Sequence, residues 1–298
     1  MILVTGATSQ LGEVIVSKLT ENNEAVRCFV RKSSKIENLK NKKVEFAYGD
    51  FEDVDSIEQA LAGVDYIIHI GGIWHAKNFL SILDSKNKII KKAIFVGSTS
   101  RFQKINSEDP TEIELVSKMI AAEEIINKSK QNTIIIRPTM LYGIDKDKNI
   151  LTLIKFMNKF HIFPIIGKGK GLKQPVHVYD VADAILKTMY TEELIKNEYN
   201  IPGANAIEYE KIISEIKKNL KSPVLVLKIP LSIAKAGFKV YKVIKPKTFV
   251  NMAMVNRVNK SYVFDFEMAS EDFGYSPMTF EEGVKIQIDY LRKNGKVK

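Results

Sequence analysis

The chain has one cysteine, one tryptophan and four histidines among 298 residues. A single cysteine excludes an internal disulfide framework. Cys28 lies in the apolar run "AVRCFV" and reads as a core residue. The histidines, His69, His75, His161 and His177, do not stand at metal-ligand spacings, so no metal site is expected. Long apolar runs are missing as well: none approaches the ~20 residues that span a bilayer. Met1 is followed directly by strand residues, with no basic n-region or small-residue cleavage site. With the lone cysteine, this leads to an expectation of a reducing cytoplasm.

What is present is ordinary globular composition, 45% hydrophobic and 27% charged. The net charge is +10, and lysines run the length of the chain. The plain reading is a solvated basic surface; the functional one is attraction to an anionic partner. Basic residues are not interleaved with a stacking aromatic platform, so no nucleic-acid partner is expected.

Short apolar runs alternate with helical periodicity up to about residue 145. Strands are read at "ILVTG", "AVRCFVR", "DYIIHIG", "AIFVGS" and "NTIIIRP". Helices fall between them, including "LGEVIVSKLTEN", "FLSILDSKNKIIKK" and "IELVSKMIAAEEIINKS". This alternation predicts an α/β fold, a doubly wound parallel sheet of Rossmann type. Residues 1–145 form its dinucleotide-binding domain, with 175–190 returning to it. Residues 146–298 form mainly a smaller α/β substrate lobe.

The stretch "TGATSQLG" frames a turn between the first strand and the first helix. Gly6 permits the turn, and Gly12 lets helix and strand approach closely. The helix N-terminus faces the turn with unbonded amides and the positive dipole end, which suits phosphate. Thr8, Ser9, Gln10 and Leu11 complete the loop, with Ser9 where such loops usually carry a third glycine. Its hydroxyl is small and able to donate to a phosphate oxygen. After the second strand, Arg31 and Lys32 stand where an NAD binder usually places an acid. That favours the 2′-phosphate of NADP over NAD.

Taken in order from Ile2 to about Leu291, several segments resemble the extended short-chain dehydrogenase/reductase family, the NAD(P)-dependent sugar-nucleotide epimerases, dehydratases and reductases. The loop is similar to its TGxxGxxG. "YGDFED" resembles its GD-x-x-D segment, which implies that Asp50 and Phe51 contact adenine. "VDYIIHIGG" resembles the fourth strand, implying that Ile70, Gly71 and Gly72 line the cofactor. "IIIRPTMLYG" implies Pro138 and Thr139 near the nicotinamide. "IFVGSTS" matches the strand with the catalytic Ser/Thr at Ser98, followed by Thr99 and Ser100 on the substrate side. "QPVHVYDVADAI", "NIPG" and "FGYSPMTFEEGV" are similar to later signatures. Asn149, Lys173 and Gln174, with Lys168 and Lys170, fall where sugar-nucleotide members hold the substrate and its diphosphate. The resemblance thus implies a small anionic substrate, a nucleotide sugar, and a homodimer through the helix carrying Lys118 and its predecessor.

One departure stands out. The family's Tyr-x-x-x-Lys corresponds to "IELVSKMIAAEE". One register pairs Glu114 with Lys118; the other pairs Leu115 with Met119. Neither has a tyrosine, so a substituted proton donor is expected, from Ser98, Thr99 or Ser100 at the strand end, Glu114 or Lys118, with Tyr142 a more remote choice. The alternative is a non-catalytic NADP-binding sensor or assembly subunit. Further on, the sequence from Pro230 reads as a helix with Ile233, Ala236, Phe238 and Val240 among Lys235, Lys239 and Lys242. It is either a substrate-lobe helix or a basic amphipathic helix in peripheral contact with an anionic membrane.

Overall fold

The computed structural model describes residues 1–221, 223–244, 257 and 259–297, with backbone alone for 238–244. Its centre is a seven-stranded, all-parallel sheet. The strands are β1 (Ile2–Thr5), β2 (Val26–Val30), β3 (Val44–Tyr48), β4 (Tyr66–His69), β5 (Lys92–Val96), β6 (Thr133–Pro138) and, later in the chain, β11 (Glu198–Ile201). Their order is β11-β6-β5-β4-β1-β2-β3. Strand order reverses between β1 and β4, and ligands of open α/β sheets bind at such a point, beyond the carboxyl ends of the strands.

β1, β4, β5 and β6 are almost wholly apolar because helices cover both faces. On one face lie α1 (Gln10–Glu21) and α7 (Val178–Tyr190), which share a core with β1 and β2. Lys18 on α1 pairs with Asp183 on α7 at 2.8 Å. On the other face lie α2 (Val54–Leu61), α3 (Ala76–Ser85) and α5 (Pro110–Asn127), around Phe79 and Phe95. The buried Cys28 thiol belongs to this layered core, and burial pushes it up to about 12.

Two elements differ from the sequence reading. β3 lies at the sheet edge, with Val44, Phe46 and Ala47 half-buried and Glu45 and Tyr48 exposed, where the sequence reading has no strand. The helix expected through "FLSILDSKNKIIKK" ends at Ser85; Asn87 adopts a left-handed φ of 50°, and the chain then enters β5.

A third core lies to one side of the large sheet, formed by α6 (Ile150–Phe160), α8 (Tyr209–Leu220), the last helix α10 (Phe280–Lys293) and β8 (Ile162–Ile166). β8 pairs in parallel with β13 (Leu225–Ile229). β7 (Met140–Tyr142) pairs with β10 (Pro175–His177), and β9 (Leu172–Lys173) with β12 (Ile207–Glu208). After β13 the chain forms α9 (Leu231–Ile244), with Ile233 62% exposed. The side chains of Phe238, Lys239, Val240 and Lys242 lie outside the described residues. Tyr142 is 1% exposed, edge-on to the His177 ring at 5.2 Å. It is a packing residue that cannot reach a ligand.

Candidate functional site

The loop after β1 is built as its glycines require. Gly6 sits at φ +65°, and a Cβ there would stand 3.1 Å from the Gly71 nitrogen. A Cβ on Gly12 would come within 2.3 Å of the Gly6 carbonyl oxygen, so any side chain would force α1 off β1. Ser9 is the N-cap of α1: its hydroxyl oxygen accepts from the Gly12 N–H at 3.1 Å. The hydroxyl hydrogen stays available, and the amides of Gln10 and Leu11 stand in the first turn, where helices lack internal acceptors.

Gln10 turns inward at 6% exposure. Its Oε1 accepts from the backbone N–H groups of Ile144 and Lys146 at 3.1 and 3.4 Å, tying the loop to the end of β7. Its buried Nε2 has no hydrogen-bond partner among the described residues. A bare helix N-terminus, a cradle that a Cβ would fill and an orphaned donor together fit a pyrophosphate-bearing cofactor.

On one side of this loop is a cavity of about 310 Å³ lined by Gly6, Thr8, Arg31, Ser34, Asp50, Phe51 and His75. The Phe51 ring packs 4.8 Å from His75, whose Nδ1 lies 3.0 Å from a Glu52 carboxylate oxygen. A Cβ on Gly71 would strike the Phe51 ring at 2.7 Å, so this glycine lets the ring settle against β4. Arg31, at the end of β2, lines the cavity; Lys32 is exposed and does not. Beneath, His69 is fully buried between the Thr5 hydroxyl at 2.9 Å and the Gly72 carbonyl at 3.1 Å. Burial depresses its imidazole to about 4, so it is neutral near pH 7.

On the other side a cleft of about 510 Å³ runs past Leu11, Ile70, Gly72 and Trp74 to Ser98, Met119, Pro138 and Thr139. Ser98, Thr139 and Asn149 also line a second cavity of about 380 Å³, so the two spaces meet at these residues. The Ser98 hydroxyl oxygen accepts from the Ser100 N–H at 3.1 Å, opening the short helix α4 (Ser100–Gln103). Thr99 is buried, its N–H bonded to the Pro138 carbonyl at 3.2 Å. Asn149 donates to the Leu141 carbonyl at 3.2 Å, and Thr139 donates to that of Gln174.

Glu114 and Lys118 are not brought to the cleft. They lie on the solvent face of α5, 66% and 54% exposed, and pair with each other one turn apart. Helical geometry turns the adjacent Met119 inward instead, its sulfur 3.9 Å from the Ser100 hydroxyl. The face of α5 toward the cleft therefore follows the Leu115/Met119 register.

The second cavity draws most of its lining from residues with polar side chains and contains residues with no local sequence signal. Arg257 and Glu112, 145 positions apart, form a two-point ion pair at 2.6 and 2.7 Å. Burial works to raise the Glu112 carboxyl, but hydrogen bonds from Arg257, Ser107 and Lys104 outweigh it and hold it at about 2. Lys173 donates to the Lys260 carbonyl at 2.6 Å and lies 5.4 Å over the Tyr262 ring. No ion pair to a carboxylate is formed by Lys173 among the described residues. Burial, then the nearby Arg257 cation, lowers its ammonium to about 8.

Gln174 lines the same cavity, but both ends of its amide are bonded to the Phe264 backbone, at 3.0 and 2.7 Å. It anchors the C-terminal segment and has little left for a ligand. Lys170 is held by Glu208 and Glu210 on the surface, and Lys168 is exposed outside the cavity. Among the described residues no group of three His, Cys, Asp or Glu side chains is placed to hold a metal ion.

Residues 6–191 match the NAD(P)H-binding family model. Over nearly its whole length the chain is 22% identical to the uncharacterized protein y4nL of Sinorhizobium fredii, with 99% of this chain and 96% of that one aligned. It is 26% identical to the mitochondrial NADH dehydrogenase [ubiquinone] 1 alpha subcomplex subunit 9 of Arabidopsis thaliana, across 78% of this chain and 61% of that protein. Among solved structures, the UDP-glucose 4-epimerase of Thermotoga maritima with UDP-glucose superposes with a TM-score of 0.75 at 20% identity, covering 98% of this chain and 99% of that one. The chain belongs to the NAD(P)H-binding family, with the fold of the extended short-chain dehydrogenases/reductases.

Proposed function

We propose that the protein is an NADP-dependent oxidoreductase or epimerase that acts on a nucleotide sugar with a substituted proton donor. The observation that carries this reading is the meeting of the two cavities at Ser98, Thr139 and Asn149. In it, α1's first-turn amides hold the pyrophosphate, Phe51 and His75 flank the adenine, and Arg31 grips the 2′-phosphate through its paired donors. The nicotinamide, when bound, supplies hydride chemistry. Ser98 holds the substrate hydroxyl beside it, and Asn149 and Lys173 hold the anionic remainder. The bound UDP-glucose of the Thermotoga epimerase supports the substrate class by likeness of fold only. A homodimer through α5 and a cytoplasmic place belong to the same reading.

A second reading, an NADP-binding sensor or assembly subunit, draws support from Met119 at the face of α5 where a proton donor is expected. The Arabidopsis complex subunit gives it slight additional weight. Turnover separates the two. The enzyme oxidises or epimerises one member of a panel of UDP- and dTDP-sugars and loses that activity in Ser98→Ala. A chain that binds NADPH, turns over none of them and changes its oligomeric state on binding is the sensor.

A further inference from the structure

The chain's positive charge is set by where its acids are absent. Residues 148–179 contain six lysines and no Asp or Glu, and residues 216–264 contain eleven Lys and Arg and no Asp or Glu. These two stretches hold 17 of the 45 basic residues and none of the 35 acidic ones, which leaves 28 basic against 35 acidic elsewhere. The excess positive charge therefore belongs to them alone. They are also the stretches that supply β8 and β13, which pair in register.

Side chains of that small sheet divide cleanly. Phe163, Ile165 and Val226 point into the third core. The opposite face presents Ile162, Pro164 and Ile166 from β8 against Leu225, Leu227 and Ile229 from β13, with Ile162 opposite Leu225 and Pro164 opposite Leu227. All six are apolar, and Leu225, Leu227 and Ile162 are 59%, 42% and 36% exposed. α6 ends at Phe160, two residues before Ile162 of β8; the exposed Phe160 ring is tilted against that of Phe156 at 4.8 Å, Phe156 in turn packs edge-on to Phe163, and Lys159 lies 5.2 Å over the Phe160 ring. Lys155 stands one turn before Lys159, and neither forms an ion pair among the described residues. An apolar sheet face rimmed by aromatics and unneutralised lysines is complementary to one surface above others: acidic headgroups over hydrocarbon.

We propose that the outer face of β8 and β13, with the end of α6, docks on an anionic lipid bilayer, Leu225, Leu227 and Phe160 entering the headgroup boundary while Lys155 and Lys159 contact the phosphates. The contact proposed is peripheral, and no helix among the described residues is long and apolar enough to cross a membrane. This inference is independent of the cofactor and substrate.

The test is co-sedimentation of the full chain with phosphatidylcholine vesicles with and without phosphatidylglycerol. The chain pellets with the acidic vesicles and stays in solution with the neutral ones. Lys155→Gln/Lys159→Gln weakens partitioning about thirty-fold, roughly five-fold per lysine. Leu225→Gln/Leu227→Gln weakens it by a similar factor, about that expected for two half-buried leucines. Far-UV circular dichroism and a cooperative thermal transition at the wild-type midpoint establish that each variant is folded. A folded chain that ignores acidic vesicles overturns the proposal. So does self-association in solution that Leu225→Gln/Leu227→Gln abolishes, which would make the face a contact between two copies.

Discussion

In the proposed site Lys173 meets the anionic ligand, and its replacement by methionine is expected to move stability and ligand affinity in opposite directions. Burial first, and Arg257 second, brings its ammonium from 10.5 to about 8. Keeping that charge in the empty fold at pH 7 costs at most about 3 kcal/mol, and nearer 1–2 kcal/mol once partial exposure is allowed for. The carbonyls of Lys260 and Arg257 lose a donor, but the Lys260 contact is solvent-exposed and water replaces it. Lys173→Met should therefore raise stability by about 1 kcal/mol, or roughly 2–4 °C in midpoint. The pH dependence identifies the cause. Between about 8 and 10.5 the unfolded lysine still holds its proton while the folded one has lost it, so wild-type stability rises with pH across that window. The gap between the two proteins narrows there and closes above 10.5. Urea unfolding at pH 7.5 and pH 10, with UDP titrated against each protein, measures both effects; UDP affinity should fall about ten-fold in the variant. A destabilised Lys173→Met, or a gap that does not narrow with pH, refutes the reasoning.

The remaining expectations concern other parts of the site. Gly71→Ala places a Cβ 2.7 Å from the Phe51 ring; the ring must shift, and adenine-nucleotide binding should weaken by ten-fold or more by calorimetry, as overpacking of about 1–3 kcal/mol implies. His69 and His177 are both held at about 4 by burial. Their unfolded forms take up protons first as pH falls, so stability is full above about 6.5 and is lost toward 4, by at most about 3 kcal/mol per histidine. Denaturant midpoints at pH 7, 6 and 5 should drop in that order, and a flat series would contradict it. Glu114→Gln and Lys118→Gln break only an exposed pair on α5, and should leave the urea midpoint and any turnover unaltered.

Local chemistry explains which parts of this site were readable from the chain. The loop from Gly6 to Gly12 announces itself because strand, turn and helix are contiguous and each glycine answers a backbone demand within that stretch. The central strands are legible because burial on both faces makes them continuous apolar runs. α5 is different. It buries Glu112 and Glu123 along with Val116 and Met119, so polar and apolar residues are mixed around it, and periodicity does not choose between Lys118 and Met119 as the inward position. The second cavity was only half visible. Lys173 and Asn149 are legible through the resemblance, whereas Glu112 and Arg257 meet across 145 positions and Tyr262 arrives with a segment that Gln174 anchors. Such contacts are created by tertiary packing and leave no mark on neighbouring residues. β3 carries Val44, Phe46, Ala47 and Tyr48 around a single Glu45, and its place at the sheet edge is set by pairing with β2 rather than by a regular apolar–polar alternation.

The central claim is that the space between α1, Phe51 and Arg31 holds a dinucleotide and prefers the one with a 2′-phosphate. Thermal unfolding with NADPH and with NADH, for the wild type and Arg31→Ala, addresses it directly. At about 100 times its dissociation constant a ligand stabilises by roughly 2.7 kcal/mol, several degrees for a chain of this size. The account predicts a larger shift with NADPH than with NADH at equal concentration, and loss of that difference in Arg31→Ala. Equal shifts that Arg31→Ala leaves unchanged would contradict the preference, and no shift with either would contradict the site.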